Sequence, residues 1–80
     1  MKVEFILYSS EGCHLCEQAL ALCMPLLTDQ QLSVVDIVED EQLVELYGMH
    51  IPVLQRLSDQ QQLFWPFSSA QAAEFFGRKL

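Results

Sequence analysis

The sequence predicts an α/β fold: a four-stranded mixed sheet flanked by three helices, in the order βαβαββα. Three observations predict it. Two runs rich in β-branched and aromatic residues, 2–8 and 32–38, bracket a stretch of helical period; that is the pattern of two parallel strands joined by a right-handed crossover helix. Two short apolar segments, 52–57 and 62–67, are separated only by Ser58-Asp59-Gln60-Gln61, which reads as an antiparallel hairpin. The chain has 80 residues, 51% hydrophobic and 19% charged, which suits one packed domain spanning residues 1–80 and no second one.

Taken in order, the first strand alternates through Val3, Phe5 and Leu7, and Ser9-Ser10-Glu11-Gly12 follows as a loop by composition. From Cys13 onward Leu15, Ala19, Leu22 and Leu26 recur at helical steps. Pro25 kinks that helix or marks a break near its end, because it removes a hydrogen bond and crowds the preceding turn. After the second strand, Asp40 sits where an N-cap belongs, with Glu41 in the first turn and Gly48 as the expected C′ residue. Ser68 and Gln71 form a capping box for a last helix through Phe76, ended by Gly77. The opening βαβ unit is expected to be parallel and the hairpin to extend the same sheet.

Charge and patterning exclude several classes of function. Four Lys and Arg against eleven Asp and Glu give a formal net charge of −7, which repels phosphate backbones and argues against a nucleic-acid partner. The longest apolar run, 19–27, contains Pro25 and falls well short of the ~20 residues that span a bilayer. Met1-Lys2-Val3-Glu4 opens no secretory signal. The expectation is a cytoplasmic monomer with no membrane partner.

Three cysteines without a secretory context do not form a structural disulfide framework; they read as a reactive pair, Cys13 and Cys16, plus Cys23. A C-x-x-C that opens a helix directly after a strand and loop has a mechanical meaning. The two sulfurs can meet, and the first faces the unpaired N–H groups of the first turn, which stabilise a thiolate. Cys13 is then the nucleophile and Cys16 the resolving thiol. His14 adds to thiolate stabilisation only when protonated and turned towards Cys13, while Glu11 and Glu17 oppose it. The expected balance is a Cys13 thiol more acidic than a free one, since the helix terminus is fixed and the carboxylates can swing into water. The same spacing is also half of a zinc or iron–sulfur site, with His14, His50 or Cys23 as the remaining candidates. Cys23, two turns after Cys16, reads as a small buried hydrophobe. Trp65 and Phe67 read as core and edge packing before they read as a docking patch.

Two motifs together carry a resemblance. The stretch Phe5-Ile6-Leu7-Tyr8-Ser9-Ser10-Glu11-Gly12-Cys13-His14-Leu15-Cys16, followed later by Ile51-Pro52-Val53, resembles the glutaredoxin and thioredoxin superfamily. Among its members the short glutaredoxin-like proteins of bacteria look nearest, with an aromatic-Pro-aromatic stretch such as Trp65-Pro66-Phe67. The resemblance implies a thioredoxin-like fold and a dithiol–disulfide oxidoreductase with catalytic Cys13 and Cys16. It implies a cis Pro52 facing that pair, an Ile51 backbone that pairs with an extended substrate, and Tyr8 as a wall, with His14 also on the substrate side. No bound metal or cofactor is implied; glutathione or another thiol would be a co-substrate. Typical glutaredoxins, however, carry a Lys where this chain has Ser10, and a Gly-Gly pair where it has Phe64-Trp65-Pro66-Phe67. Those departures leave a protein disulfide and a different low-molecular-weight thiol open as partners. A metal-binding module and a redox-inert interaction domain are the competing readings.

Overall fold

The computed structural model describes residues 3–28 and 30–77. Its elements are β1 (Phe5–Ser9), α1 (His14–Cys23), β2 (Leu32–Asp36), a single 3-10 turn (Ile37–Glu39), α2 (Glu41–Tyr47), β3 (Val53–Arg56), β4 (Gln62–Phe64) and α3 (Ser69–Phe75). The strands form one sheet in the order β2-β1-β3-β4. β1 runs parallel to β2, with Leu7 opposite Val34 and Ser9 opposite Asp36. β3 is antiparallel to both β1 and β4, with Tyr8 opposite Val53 and Leu54 opposite Leu63. This is the four-stranded mixed sheet and three-helix order that the sequence predicts.

Side-chain alternation along the strands divides the interior into two layers. Phe5, Leu7 and Leu54 point to the face covered by α1 and α3, where they pack with Ala19, Cys23, Phe67, Ala72 and Phe76. Phe5 meets Phe76 edge to face at 4.7 Å between centroids. Tyr8 and Val53 point to the other face, where they pack with Ile37 and, less deeply, Leu43, Tyr47 and Ile51.

Several boundaries differ from the sequence reading for identifiable reasons. The first strand begins at Phe5 and includes Ser9, which the parallel pairing with Asp36 recruits from the loop; Lys2 lies outside the described residues. Pro25 ends α1 and does not kink it: the helix stops at Cys23, and the amides of Leu26 and Leu27 both return to the Cys23 carbonyl. β2 stops at Asp36 because its carboxylate accepts from the Val38 amide at 2.9 Å and starts the 3-10 turn. The fourth strand stops at Phe64, two residues before Pro66, which has no N–H to donate. Asp40 caps α2 as expected, through the Gln42 amide at 2.9 Å. Gly48, by contrast, is right-handed, with φ −53°, so a left-handed C′ turn is not what requires glycine there. A Cβ at that position would lie 2.5 Å from the Val44 carbonyl oxygen. The capping box of α3 is complete, with the Gln71 amide donating to Ser68 and the Ser68 amide donating to Gln71. α3 itself ends at Phe75, one residue earlier than expected.

Candidate active site

The sheet delivers the cysteine pair through a turn that the sequence dictates. Ser10-Glu11-Gly12-Cys13 closes with a hydrogen bond from the Cys13 amide to the Ser10 carbonyl at 3.2 Å. Gly12 has φ +79°, which a type II turn requires at its third residue and which only glycine reaches without strain. The turn points Cys13 at the start of α1, where it is the N-cap residue in an extended conformation. Its carbonyl accepts from the Glu17 amide at 3.1 Å, the first bond of the helix.

Cys13 and Cys16 are joined as a disulfide, with their Cα atoms 5.2 Å apart. The Cys16 amide donates to the Cys13 sulfur at 3.2 Å. That sulfur therefore occupies the place a Ser or Asp oxygen takes at an ordinary N-cap, facing the free amides of the first turn. Burial separates the two cysteines. Cys13 is partly exposed, whereas Cys16 is only 5% exposed against the sheet. The outer cysteine is accessible from solvent and the inner one is nearly closed off. Cys23, the free cysteine, is fully buried in the core between α1, α3 and the sheet, and burial pushes its thiol up to about 11.

A shallow cleft beside the pair is lined by Ser9, Ser10, Glu11, Cys13, Cys16, Glu17 and Val34, among others. Val34 is a component that sequence reasoning treated only as strand interior. Its signal was the parallel register, which sets it opposite Leu7 on the α1 face of an edge strand. Ile51 and Pro52 do not line this cleft. The antiparallel register ends at Val53–Tyr8, so Pro52, the residue before Val53, lies at the end of the sheet from which the Ser10–Cys13 turn departs. Its side chain is fully buried, and the Ile51–Pro52 peptide is cis, as is Trp65–Pro66. The Pro52 carbonyl accepts from the Trp65 amide at 3.3 Å, and the Ile51 amide already donates to the Tyr47 carbonyl at 3.0 Å. Among the described residues no backbone amide donates to the Ile51 carbonyl.

Tyr8 is buried under α2, its ring stacked on Tyr47 at 4.5 Å and its hydroxyl donating to Gln55 at 2.9 Å. It is a beam of the second core layer and not a wall of the cleft. Its burial, and Tyr47 beside it, raise the pKa of its phenol above the ordinary tyrosine value. His14 is almost fully solvent-exposed, and its Nδ1 meets a Glu17 carboxylate oxygen at 3.3 Å. A contact this open contributes little to stability. His50 is exposed against Phe64, 5.4 Å between ring centroids. Among the described residues, no three His, Cys, Asp or Glu side chains group to hold a metal ion, and no helix is long and apolar enough to cross a membrane.

A family model described as Glutaredoxin-like domain (DUF836) matches residues 4–76. The chain belongs to that glutaredoxin-like family. Its fold is that of solved relatives too. The structural-genomics target XcR50 from X. campestris, solved by X-ray crystallography, is 29% identical, covers 91% of this chain and 95% of its own, and superposes with a TM-score of 0.80. Protein Ne2328 from Nitrosomonas europaea, solved by NMR, is 28% identical over 95% of this chain and 92% of its own, with a TM-score of 0.73. No curated protein matches. A glutaredoxin-like domain with this cysteine pair at a helix start is consistent with a thiol–disulfide redox role.

Proposed function

We propose that the protein is a dithiol–disulfide oxidoreductase in which Cys13 attacks and Cys16 resolves. The observation that carries this reading is the asymmetry of the pair: a partly exposed Cys13 sulfur at the helix N-cap with the Cys16 amide aimed at it, and a buried Cys16 one turn on. In the reduced protein the Cys13 thiolate attacks one sulfur of a substrate disulfide. The substrate S–S bond breaks, one substrate thiolate leaves and takes up a proton, and a mixed disulfide forms on Cys13. Cys16 then loses its proton and attacks the Cys13 sulfur, releasing the second substrate thiol. Two electrons pass to the substrate, and the protein is left with the Cys13–Cys16 bond. An external dithiol, or two monothiols, returns it to the reduced form.

The first-turn amides make Cys13 the better leaving group and nucleophile, because they stabilise its thiolate in place of water. His14, exposed beside Cys13, and the free Ile51 carbonyl are the groups on the substrate side. The protein would act in the cytoplasm, as a monomer, with no bound cofactor.

Trapping tests this directly. The Cys16→Ser variant, mixed with a disulfide substrate, should accumulate a mixed disulfide on Cys13 that intact-mass measurement detects as an adduct, and Cys13→Ser should accumulate none. Equal adduct on both variants, or none on either after reduction is verified, overturns the assignment.

A further inference from the structure

The redox edge of the molecule is acidic, and the described cation lies at the other end of the sheet. Glu11 and Glu17 flank Cys13 within four residues on either side, both exposed. Asp36 ends β2 opposite Ser9, and by strand alternation it shares the face of Val34, which lines the cleft. Glu39 and Asp40 follow in the exposed connection to α2. Against these five carboxylates, Arg56 is the one Lys or Arg among the described residues. It pairs with Phe5 at the opposite end of β1, and its guanidinium is held by both Asp59 carboxylate oxygens at 2.8–2.9 Å and by the Phe75 carbonyl at 2.8 Å. Lys2, Arg78 and Lys79 lie outside the described residues.

The same edge exposes apolar side chains. Leu15 between the two cysteines is 45% exposed, Val34 in the cleft 48%, and Val38 beyond Asp36 65%. Apolar groups alternating with carboxylates around an open sulfur match a polypeptide better than a small polar thiol. A chain laid across the cleft can bury Val34 there, with exposed Leu15 next to the inner cysteine, while its charged side chains reach Glu11 and Glu17.

We infer that the substrate disulfide is carried by a basic polypeptide segment, with Lys or Arg near its cysteine, that docks across the cleft lined by Glu11, Cys13, Glu17 and Val34. This rests on the dithiol reading and names the substrate class for that same site. Carboxylates of one sign around a cleft raise the local concentration of a cation and slow the approach of an anion, by ~10-fold to ~10³-fold in steered encounters. Glutathione disulfide is net-negative and would be disfavoured by the field that favours a basic peptide.

The test uses the reduced full chain and three peptide disulfides of equal length, flanked by Lys and Arg, by neutral residues, or by Glu. Second-order rate constants are measured at ionic strengths of about 0.01 M and about 1 M, where the Debye length is about 30 Å and about 3 Å. The basic peptide should react ~10-fold or more faster than the acidic one at low salt, with the ratio approaching one at high salt. Combining Glu11→Gln, Glu17→Gln and Glu39→Gln should lower that low-salt ratio several-fold. Equal rates at low salt, or glutathione disulfide outpacing the basic peptide, overturn the inference. Cystamine, a small cationic disulfide, separates the sources: if its gain over a neutral small disulfide equals that of the basic peptide over the neutral peptide, docking of a polypeptide is overturned. If the neutral peptide is reduced but charge imposes no order, or only glutathione disulfide is reduced, this inference alone fails; if none of the disulfides is reduced, the oxidoreductase reading fails and takes it along.

Discussion

At the scale of single residues, the three cysteines have been given three environments by one helix. Cys13 sits before the first turn, Cys16 inside it against the sheet, and Cys23 two turns further down the same face in the core. That spacing is why Cys23 was legible as a buried hydrophobe from sequence: seven residues is nearly two helical turns, so the face that buries Cys16 buries Cys23. A thiol reagent added to the native oxidised protein should therefore titrate no thiol, and one should appear after unfolding in denaturant; a fast-reacting thiol in the native protein would contradict the burial of Cys23. The raised thiol value also has a stability consequence. Burial disfavours the charged form, so the folded state holds its proton more tightly than the unfolded state, whose value is the ordinary 9.0. Below pH 9 both states are protonated and stability does not respond to this group. Between pH 9 and about 11 the unfolded chain binds fewer protons, and stability falls as pH rises. The buried Tyr8 phenol acts in the same direction. Urea midpoints at pH 8 and pH 10.5 should show a smaller alkaline loss for Cys23→Ala than for the parent, and an identical loss would assign the effect elsewhere.

At the scale of elements, caps were the most legible feature and strand ends the least. Asp40 and the Ser68–Gln71 box announce their helices because a short polar side chain placed before a helical pattern has one favourable use, accepting an orphan amide. Val38, by its β-branching, reads as strand, yet Asp36 two residues earlier offers its carboxylate to the Val38 amide and turns the chain. Propensity lost there to a local hydrogen bond. Gly48 shows the same limit: its presence near the end of α2 was readable, but the reason for it was not, because that reason is a contact. An Ala at this position gains the ordinary helix advantage of ~1 kcal/mol over Gly and places a methyl 2.5 Å from the Val44 carbonyl oxygen, which is backbone and has little room to yield. The repulsion wins. The Gly48→Ala variant should lose about 1–3 kcal/mol of unfolding free energy. The turn that must move also holds the His50 and Ile51 amides on the Tyr47 carbonyl, so mixed-disulfide formation on Cys13 should slow as well if Ile51 meets the substrate. An unchanged or raised urea midpoint would show that the close approach is relieved at no cost.

At the scale of the whole molecule, the two faces of the sheet are unequally filled. Among the described residues, the α1/α3 layer gathers nine buried ones, including Leu7, Leu54 and Phe76. The α2 layer has three, Tyr8, Ile37 and Val53, and α2 itself contributes no fully buried side chain. Val44 and Leu46 of that helix remain substantially exposed. The order of elements reveals that helices cover both faces, since a right-handed crossover and a returning hairpin leave few alternatives. It does not reveal how much each face buries, which depends on distances between side chains remote in sequence. The same limit applied at the site, where Cys13 and Cys16 stood out as a motif while Val34 entered the cleft only through strand register. Because each buried aliphatic or aromatic side chain contributes roughly 1.5–3 kcal/mol, the thin layer should open at much lower free energy than the thick one. Amide hydrogen exchange by NMR checks this. Amides of α2 should exchange well before those of α1, β1 and β3, through sub-global opening that leaves the sheet intact. The movement would carry the segment from Gly48 to Pro52, which leads into β3 at the same end of the sheet as the Ser10–Cys13 turn. If α2 amides exchange as slowly as those of β1, the two layers unfold as one unit and the edge is as rigid as the core.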